Sequence, residues 1–318
     1  MIINCKEISE NIRFEIKSKI ETIKKDHEGL IPDLAVILVG NNPASVSYVK
    51  GKEKACEDVG IYSTMINLPE DTSENELISV IKSLNNDKDV NGILVQLPLP
   101  KHINTSKILN TIAPEKDVDC FTDVNVGKMI HGKANFLPCT PAGILEIIKN
   151  LKLDLSGKNV LVIGRSDIVG RPIANMLSMK PYDATVTIAN SKTPKSELIN
   201  AMSHSDLIIS AVGKAFFLKK DDFIDQYTDY TNYPVLKENT TIIDVGVNRI
   251  EDPNTKNGFR LVGDIYNSKD TELLDYFERN SINITPIPGG VGPMTITMLL
   301  VNTLQAFLIQ NNFSTIND

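Results

Sequence analysis

The chain has 318 residues, more than one ordinary hydrophobic core holds and about the length of two domains. Hydrophobic residues make up 42% and charged residues 23%, a globular balance that excludes a disordered or fibrous protein. The net charge of −7, without a long basic run, argues against nucleic acid or an anionic membrane as a partner.

The N-terminus and the cysteines predict a soluble cytoplasmic protein. Residues 1–7 include an acidic residue and no long apolar stretch, unlike a secretory signal or a transit peptide. We find no apolar run approaching the roughly 20 residues of a membrane helix. The cysteines and histidines lack metal-ligand spacing, so we expect no bound metal and reduced thiols. The cysteines are Cys5, Cys56, Cys120 and Cys139.

The first third of the chain alternates strands and helices. The apolar run 33–40 predicts a buried strand, and Asn41–Pro43 then opens a helix that ends near Gly60. Repeated β-α-β units with buried strands predict a parallel sheet covered by helices. The elements that follow are a strand at 62–68, a helix at 73–84 and a strand at 90–100.

A second α/β series follows a helix at 142–150 and a polar break at 154–158. A polar, aromatic-containing stretch between Gly213 and Asn239 predicts a surface insertion, and residues 286–293 are rich in glycine and proline. The predicted elements are strands at 159–164, 185–189, 207–211 and 241–245, a helix opened by 170–172, and a long apolar helix at 295–310.

The segment 164–170 has the features of a phosphate-binding loop, because its glycines follow a strand and open a helix. The spacing differs from the usual dinucleotide motif, so a plain strand–helix turn is the alternative. The next strand ends at 189–193 in neutral and basic residues, where an NAD site usually has a carboxylate. Together with Arg165, this favours the 2′-phosphate of NADP, although simple solvent exposure would also explain these residues.

Polar residues of the first domain meet at one edge of its predicted sheet. Tyr48 and Lys52 are four apart and share a helix face, while Gln96 and the loop with Asp117 and Asp119 reach the same edge. A solvated helix face and loop capping are the alternatives for these residues. The buried amide of Gln96 needs hydrogen-bond partners and is harder to explain structurally. The spacing alone does not establish a catalytic site.

At these residues the sequence resembles the bifunctional methylenetetrahydrofolate dehydrogenase/methenyltetrahydrofolate cyclohydrolase family. The resemblance extends over nearly the whole chain, and its motifs occur in the family's order. They lie at residues 47–61, 92–100, 114–121, 137–148, 164–172 and 288–295.

The resemblance implies roles for the folate site. Tyr48 matches the tyrosine that stacks on the folate rings, and Lys52 the lysine central to cyclohydrolase chemistry. Gln96 matches the glutamine that holds this lysine, and Asp119 the carboxylate that binds the pterin. Pro288, Gly289 and Gly290 match the segment that lines the cleft where folate and nicotinamide meet.

For the cofactor, the resemblance implies NADP. Arg165, Ser166 and Ser191 match residues around its 2′-phosphate, and we also assign Gly164, Gly170 and Val247 to the cofactor site. The resemblance further implies a homodimer that contacts through the nucleotide domain.

The expected fold is therefore two α/β domains with a cleft between them. A parallel-sheet catalytic domain would comprise residues 1–140 and 286–318, and a Rossmann-type NAD(P)-binding domain residues 141–285. The expected function is NADP-dependent oxidation of 5,10-methylenetetrahydrofolate to 5,10-methenyltetrahydrofolate and its hydrolysis to 10-formyltetrahydrofolate, in one-carbon metabolism and purine biosynthesis. The alternatives are a family member with one activity, a silent folate- or nucleotide-binding protein, and a generic amino-acid or hydroxy-acid dehydrogenase.

The sequence departs from the family pattern in three places. Cys120 replaces the usual glycine after the pterin aspartate, so a positive φ there would cost stability or shift Asp119. Asn190 replaces a common histidine, and the insertion after Gly213 is longer than usual. None of these changes replaces Tyr48, Lys52, Gln96 or Asp119 itself.

Overall fold

The computed structural model describes residues 1–27, 29–223, 236–255, 258–265 and 271–316, so the predicted surface insertion lies partly outside the described residues. The chain forms two compact units. The first unit consists of Ser9–Cys139 and Thr295–Asp318, and the second of Met1–Ile8 and Thr140–Met294.

The unit boundaries differ from the predicted domains at 1–8 and 286–294, which belong to the second unit. The reason is long-range backbone pairing. Ile3 N donates to Ile284 O and Ile284 N donates to Met1 O, both at 2.9 Å, so the first residues extend a sheet of the second unit. Met294 packs so closely on Gly143 that an added Cβ would lie 2.9 Å from its Cβ.

Helices and strands alternate along most of the chain. As far as residue 150 they are α1 (Cys5–Asp26), β1 (Asp33–Val39), α2 (Pro43–Val59), β2 (Tyr62–Leu68), α3 (Glu74–Asn86), β3 (Gly92–Val95), α4 (Thr105–Leu109), α5 (Asp123–Ile130) and α6 (Cys139–Asn150). The later ones are β4 (Asn159–Ile163), α7 (Gly170–Ser178), β5 (Thr185–Ala189), α8 (Lys195–His204), β6 (Leu207–Ser210), β7 (Thr241–Asp244), β8 (Asn248–Glu251), β9 (Phe259–Val262), α9 (Thr271–Arg279), β10 (Asn283–Ile284) and α10 (Val291–Gln310).

The first unit contains a parallel sheet in the order β2-β1-β3. Every residue of β1 is buried, as the apolar run 34–39 predicts, and Asp33 at the start of the strand is buried as well. The Asn42 side chain accepts bonds from Ala44 N and Ser45 N and so caps α2, which ends where Gly60 adopts a φ of 86°. These signals place the start and end of α2 as predicted.

The third strand is shorter than predicted, because β3 ends at Val95. The two prolines that follow, Pro98 and Pro100, lack the N–H that a central strand donates. Gln96 N nevertheless donates to Ile37 O at 2.9 Å, which places Gln96 at the carboxyl end of the sheet.

The second unit contains a parallel sheet in the order β10-β7-β6-β4-β5. β4 lies between β5 and β6. The chain therefore adds β5 on one side of β4 and β6 on the other side, so the strand order reverses at β4. In open α/β sheets, ligands bind at this switch point, beyond the carboxyl ends of the strands. The antiparallel hairpin β8–β9 has no counterpart among the predicted elements.

Helix α10 shows that the prediction of no apolar run as long as a membrane helix was wrong. It begins at Val291 instead of 295, and its 20 residues are apolar enough to cross a membrane by length and composition. However, 67% of the most apolar 18-residue stretch of this helix is buried inside the protein. A helix that is apolar on all sides and mostly buried is typical of a protein core.

Candidate active site and nucleotide-binding loop

Helix α2 and the end of β3 bring a lysine and a glutamine together. Lys52 Nζ donates to Gln96 Oε1 at 3.0 Å, and Gln96 Nε2 donates to Leu97 O at 2.7 Å. A lysine can only donate, so the amide must turn its oxygen to the amine. Tyr48 lies one turn earlier on α2 and is 43% exposed, which leaves its ring accessible. Lys52 is therefore held at the sheet edge and does not extend freely into solvent.

Asp117 organises the loop that follows. It is 1% exposed, and its carboxylate accepts bonds from Phe121 N, Thr122 N, Thr122 Oγ1 and Asn125 Nδ2 at 2.7–3.0 Å. These four donors occupy its acceptor sites, so Asp117 has the structural role of fixing the loop at the start of α5.

Asp119 has different surroundings. Burial raises the pKa of its carboxyl group, while the positive charge of Lys52 and a hydrogen bond with the Cys139 thiol oppose this rise. Lys52 and Asp119 therefore interact electrostatically. The structure thus brings Lys52, Gln96 and Asp119 together at one edge of the first unit's sheet.

Cys120, which follows Asp119, has a φ of 59°. This is the left-handed conformation that glycine adopts freely and that costs other residues about 1–2 kcal/mol. The Cys120 thiol is buried and donates to Phe136 O at 3.3 Å. The thiol contact partly offsets the backbone strain and keeps the loop in place.

The loop after β4 adjoins the end of β5. Ile163 pairs with Ala189, and Gly164 N donates to Ala189 O at 2.9 Å. Arg165 and Ser191 therefore leave neighbouring strands at the same edge, and both are exposed. The positions that follow β5, 190–192, hold Asn, Ser and Lys with no carboxylate. This set of neutral and cationic donors suits a phosphate group.

Two glycines make this loop compact. Gly164 has a φ of 119°, and a Cβ there would lie 2.3 Å from Ala211 O. A Cβ on Gly170 would lie 2.4 Å from Gly164 O. The backbone itself therefore requires glycine at both positions.

Ser166 caps the loop from within, which the sequence did not predict. Its hydroxyl oxygen accepts from Val169 N at 3.2 Å and Gly170 N at 3.3 Å, and its carbonyl accepts from Arg171 N at 3.0 Å. These N–H groups are thus already bonded at the start of α7. An anion here would depend mainly on side-chain donors such as Arg165 and on the helix dipole.

Val247 follows β7 at the same carboxyl edge and is 38% exposed. Nearby backbone is held by Asp264, a buried carboxylate that the sequence analysis missed. Asp264 accepts from the N–H groups of 212–214 at 2.7–3.1 Å and from Asn248 Nδ2 at 3.1 Å. It holds the loop after β6 beside the segment after β7.

The segment before α10 presents open backbone. Gly289 has a φ of 98°, and no atom lies within 4 Å of where its Cβ would be. Pro288 is exposed, whereas Gly290 packs so tightly that an added Cβ would lie 2.4 Å from Pro286 O. Pro288 and Gly289 are thus accessible on the second unit, and Gly290 shapes the turn.

Two further polar residues lie near Asp119. Cys139 begins α6, and Asn302 on α10 is 5% exposed. Their hydrogen-bond partners are far away in the sequence, and the only available signal was an asparagine in a mostly apolar helix. Among the described residues, no group of three or more His, Cys, Asp or Glu side chains could hold a metal ion.

Comparison with known proteins gives the same family for both parts of the chain. The profile "Tetrahydrofolate dehydrogenase/cyclohydrolase, catalytic domain" matches residues 3–119, and the corresponding "NAD(P)-binding domain" profile matches residues 138–311. The bifunctional protein FolD of Lysinibacillus sphaericus is 46% identical over 96% of both chains, and that of Chlorobium phaeobacteroides is 43% identical over 98% of both.

Solved structures of family members resemble this chain over nearly its whole length. The methylenetetrahydrofolate dehydrogenase-cyclohydrolase of Trypanosoma brucei, complexed with NADP and an inhibitor, is 32% identical with a TM-score of 0.85, covering 96% of this chain and 97% of that one. The bifunctional enzyme of Campylobacter jejuni is 42% identical with a TM-score of 0.82, covering 96% and 98%.

Proposed function

Because this chain belongs to the tetrahydrofolate dehydrogenase/cyclohydrolase family, we propose that it carries out both reactions of that name. It oxidises 5,10-methylenetetrahydrofolate to 5,10-methenyltetrahydrofolate with NADP, and it hydrolyses the product to 10-formyltetrahydrofolate. The observation that carries this proposal is the hydrogen bond from Lys52 to Gln96 in the electrostatic field of Asp119.

Asp119 and Tyr48 are the proposed folate contacts of the first unit. A carboxylate can accept two parallel N–H bonds from the amino-pyrimidine edge of a pterin, which gives orientation as well as affinity. The exposed ring of Tyr48 offers a face on which a flat ring can stack.

For the oxidation, the second unit supplies the cofactor site. The chemistry that NADP would supply there is acceptance of the hydride from the methylene carbon. Arg165 and Ser191 would hold its 2′-phosphate, where the carboxylate typical of NAD sites is missing. The shaped backbone of the loop at Gly164 and Gly170 and the exposed Val247 complete the proposed site. The protein's part in this step is to hold both reactants in a fixed orientation.

For the hydrolysis, the methenyl cation and water give 10-formyltetrahydrofolate and one proton. Lys52 is the proposed catalytic residue, because its amine can take up and return a proton as water adds and the ring opens. Gln96 orients the amine by accepting its hydrogen bond, and it does so without adding a negative charge that would favour the protonated amine.

We also propose that the protein is a cytoplasmic homodimer whose formyl product serves purine biosynthesis. An edge strand can pair with a strand of a second chain, and β5 is an edge strand of the second unit's sheet. Ile188 on β5 is 43% exposed, which supports a dimer contact at this edge. Light scattering of the purified chain, compared with an Ile188→Glu variant, tests whether this edge carries the contact. A monomeric wild-type chain would refute the dimer.

The two reactions can be tested separately. Methenyltetrahydrofolate supplied alone should lose its absorbance in the presence of the protein, and methylenetetrahydrofolate should reduce NADP faster than NAD. Oxidation without hydrolysis would leave a monofunctional dehydrogenase. Folate binding without either reaction would leave a non-catalytic protein and would overturn the proposal.

A further inference from the structure

The loop that carries Asp119 is tied to a second segment on both sides of that residue. The Cys120 thiol donates to Phe136 O at 3.3 Å, and the Cys139 thiol donates to Val118 O at 3.4 Å. Both thiols are buried. Asp119 lies between the two tethered positions, so these contacts restrain its backbone.

An amide from the last helix joins the same two segments. Asn302 Nδ2 donates to Val118 O at 2.7 Å and to Leu137 O at 2.8 Å, and it lies 3.7 Å from Cys139 Sγ. Asn302 is 5% exposed in a helix that is otherwise mostly apolar. A buried amide is costly unless its polar atoms are bonded, and here each N–H meets a backbone carbonyl.

We propose that Asn302 is a positioning residue for folate binding, which acts through the Val118 carbonyl to set the direction of the Asp119 carboxylate. The inference rests on the proposed function, since it assumes that Asp119 binds the pterin. Burial keeps the pKa of the Cys139 thiol well above its usual range, so the thiol stays protonated, and its single S–H is shared between Val118 O and the Asp119 carboxylate.

The consequence is a selective defect in folate affinity. Two parallel bonds from a carboxylate to a pterin depend on direction, so a small rotation of Asp119 weakens both. In Asn302→Leu, which keeps the branched skeleton of the side chain and removes both donors, the KM for methylenetetrahydrofolate should rise roughly tenfold, about the effect of one weakened charge-assisted hydrogen bond. The KM for NADP should stay within about twofold, because the hydrogen-bond partners of Asn302, Val118 and Leu137, belong to the first unit, whereas the loop 164–170 belongs to the second.

Asn85 provides a matched control. Asn85 Nδ2 donates to Thr111 O at 2.8 Å, and its Oδ1 accepts from Ala113 N at 2.9 Å, so it also bridges backbone segments within the first unit. Neither partner lies in the loop 117–120. Asn85→Leu should lower the thermal unfolding midpoint, as Asn302→Leu does, and should leave the KM for methylenetetrahydrofolate unchanged. Asn302→Ser retains a single donor and should give an intermediate KM, and it serves as the test variant if Asn302→Leu does not fold.

The outcomes separate this inference from the proposed function. A wild-type chain that does not oxidise methylenetetrahydrofolate defeats the proposed function itself. An active wild type together with an unchanged folate KM in the Asn302 variants overturns the positioning role. Equal increases in the Asn302 and Asn85 variants also overturn it, because they would show a general loss of stability.

Discussion

Replacing Lys52 by methionine should greatly slow the hydrolysis of methenyltetrahydrofolate while leaving the chain folded. The amine of Lys52 is held 3.0 Å from Gln96 Oε1, and methionine keeps the stem of the side chain but removes the group that transfers protons. A positioned general acid–base group contributes about 10²–10⁴ in rate, or roughly 3–5 kcal/mol in the activation free energy. Hydrolysis should fall by that factor.

The fold should tolerate this change. Lys52 is only partly buried, and Gln96 Nε2 remains bonded to Leu97 O in its absence, so the free energy of unfolding should change by about 1 kcal/mol or less. Lys50→Met is the matched control, since it removes the same charge from an exposed position of the same helix. The assay is the loss of methenyl absorbance in stopped-flow mixing. Normal hydrolysis in Lys52→Met, or an equal loss in Lys50→Met, would refute the role of Lys52.

Three further predictions concern the nucleotide loop and the pterin carboxylate. Gly164→Ala should lower the free energy of unfolding by about 3 kcal/mol in denaturant titration and abolish NADP binding, because the new Cβ would lie 2.3 Å from Ala211 O. Gly127→Ala is the control: there is open space around Gly127, so this variant should have neither effect. Arg165→Gln should raise the KM for NADP roughly tenfold or more and leave that for NAD nearly unchanged, which the ratio of the two values measures. The pKa of Asp119 is raised above its usual 3.8, so as pH falls the carboxylate is protonated earlier than an ordinary aspartate. As the pH is lowered, the KM for methylenetetrahydrofolate should therefore begin to rise at a higher pH than it would if Asp119 had the pKa of an ordinary aspartate. A KM that does not change with pH on the acidic side would contradict the role of Asp119 in folate binding.

Local patterns predicted much of the fold. The uninterrupted apolar run of β1 and the capping residues of α2 are short-range signals, and the structure has both elements where they were expected. The proximity of Lys52 and Gln96 also followed from local reasoning, because carboxyl ends of parallel strands share one edge of a sheet. The roles of these two residues came from the family resemblance and not from their spacing.

Contacts between distant parts of the chain were not predictable in this way. Asn302 bonds to Val118, 184 residues away, and Ile3 pairs with Ile284. Such pairs depend on how complete elements pack, which periodicity does not report. The same reason explains why Asp264 was overlooked, since its partners follow a different strand.

Mixing the protein with methylenetetrahydrofolate and NADP shows whether one chain carries out both reactions in sequence. Reduced nicotinamide and methenyltetrahydrofolate are followed together, and an acid-quenched sample reports the total oxidised folate. We expect nicotinamide reduction with little accumulation of the methenyl compound. Methenyl accumulation in step with reduced nicotinamide would contradict the hydrolytic activity, and no reduction at all would contradict the dehydrogenase.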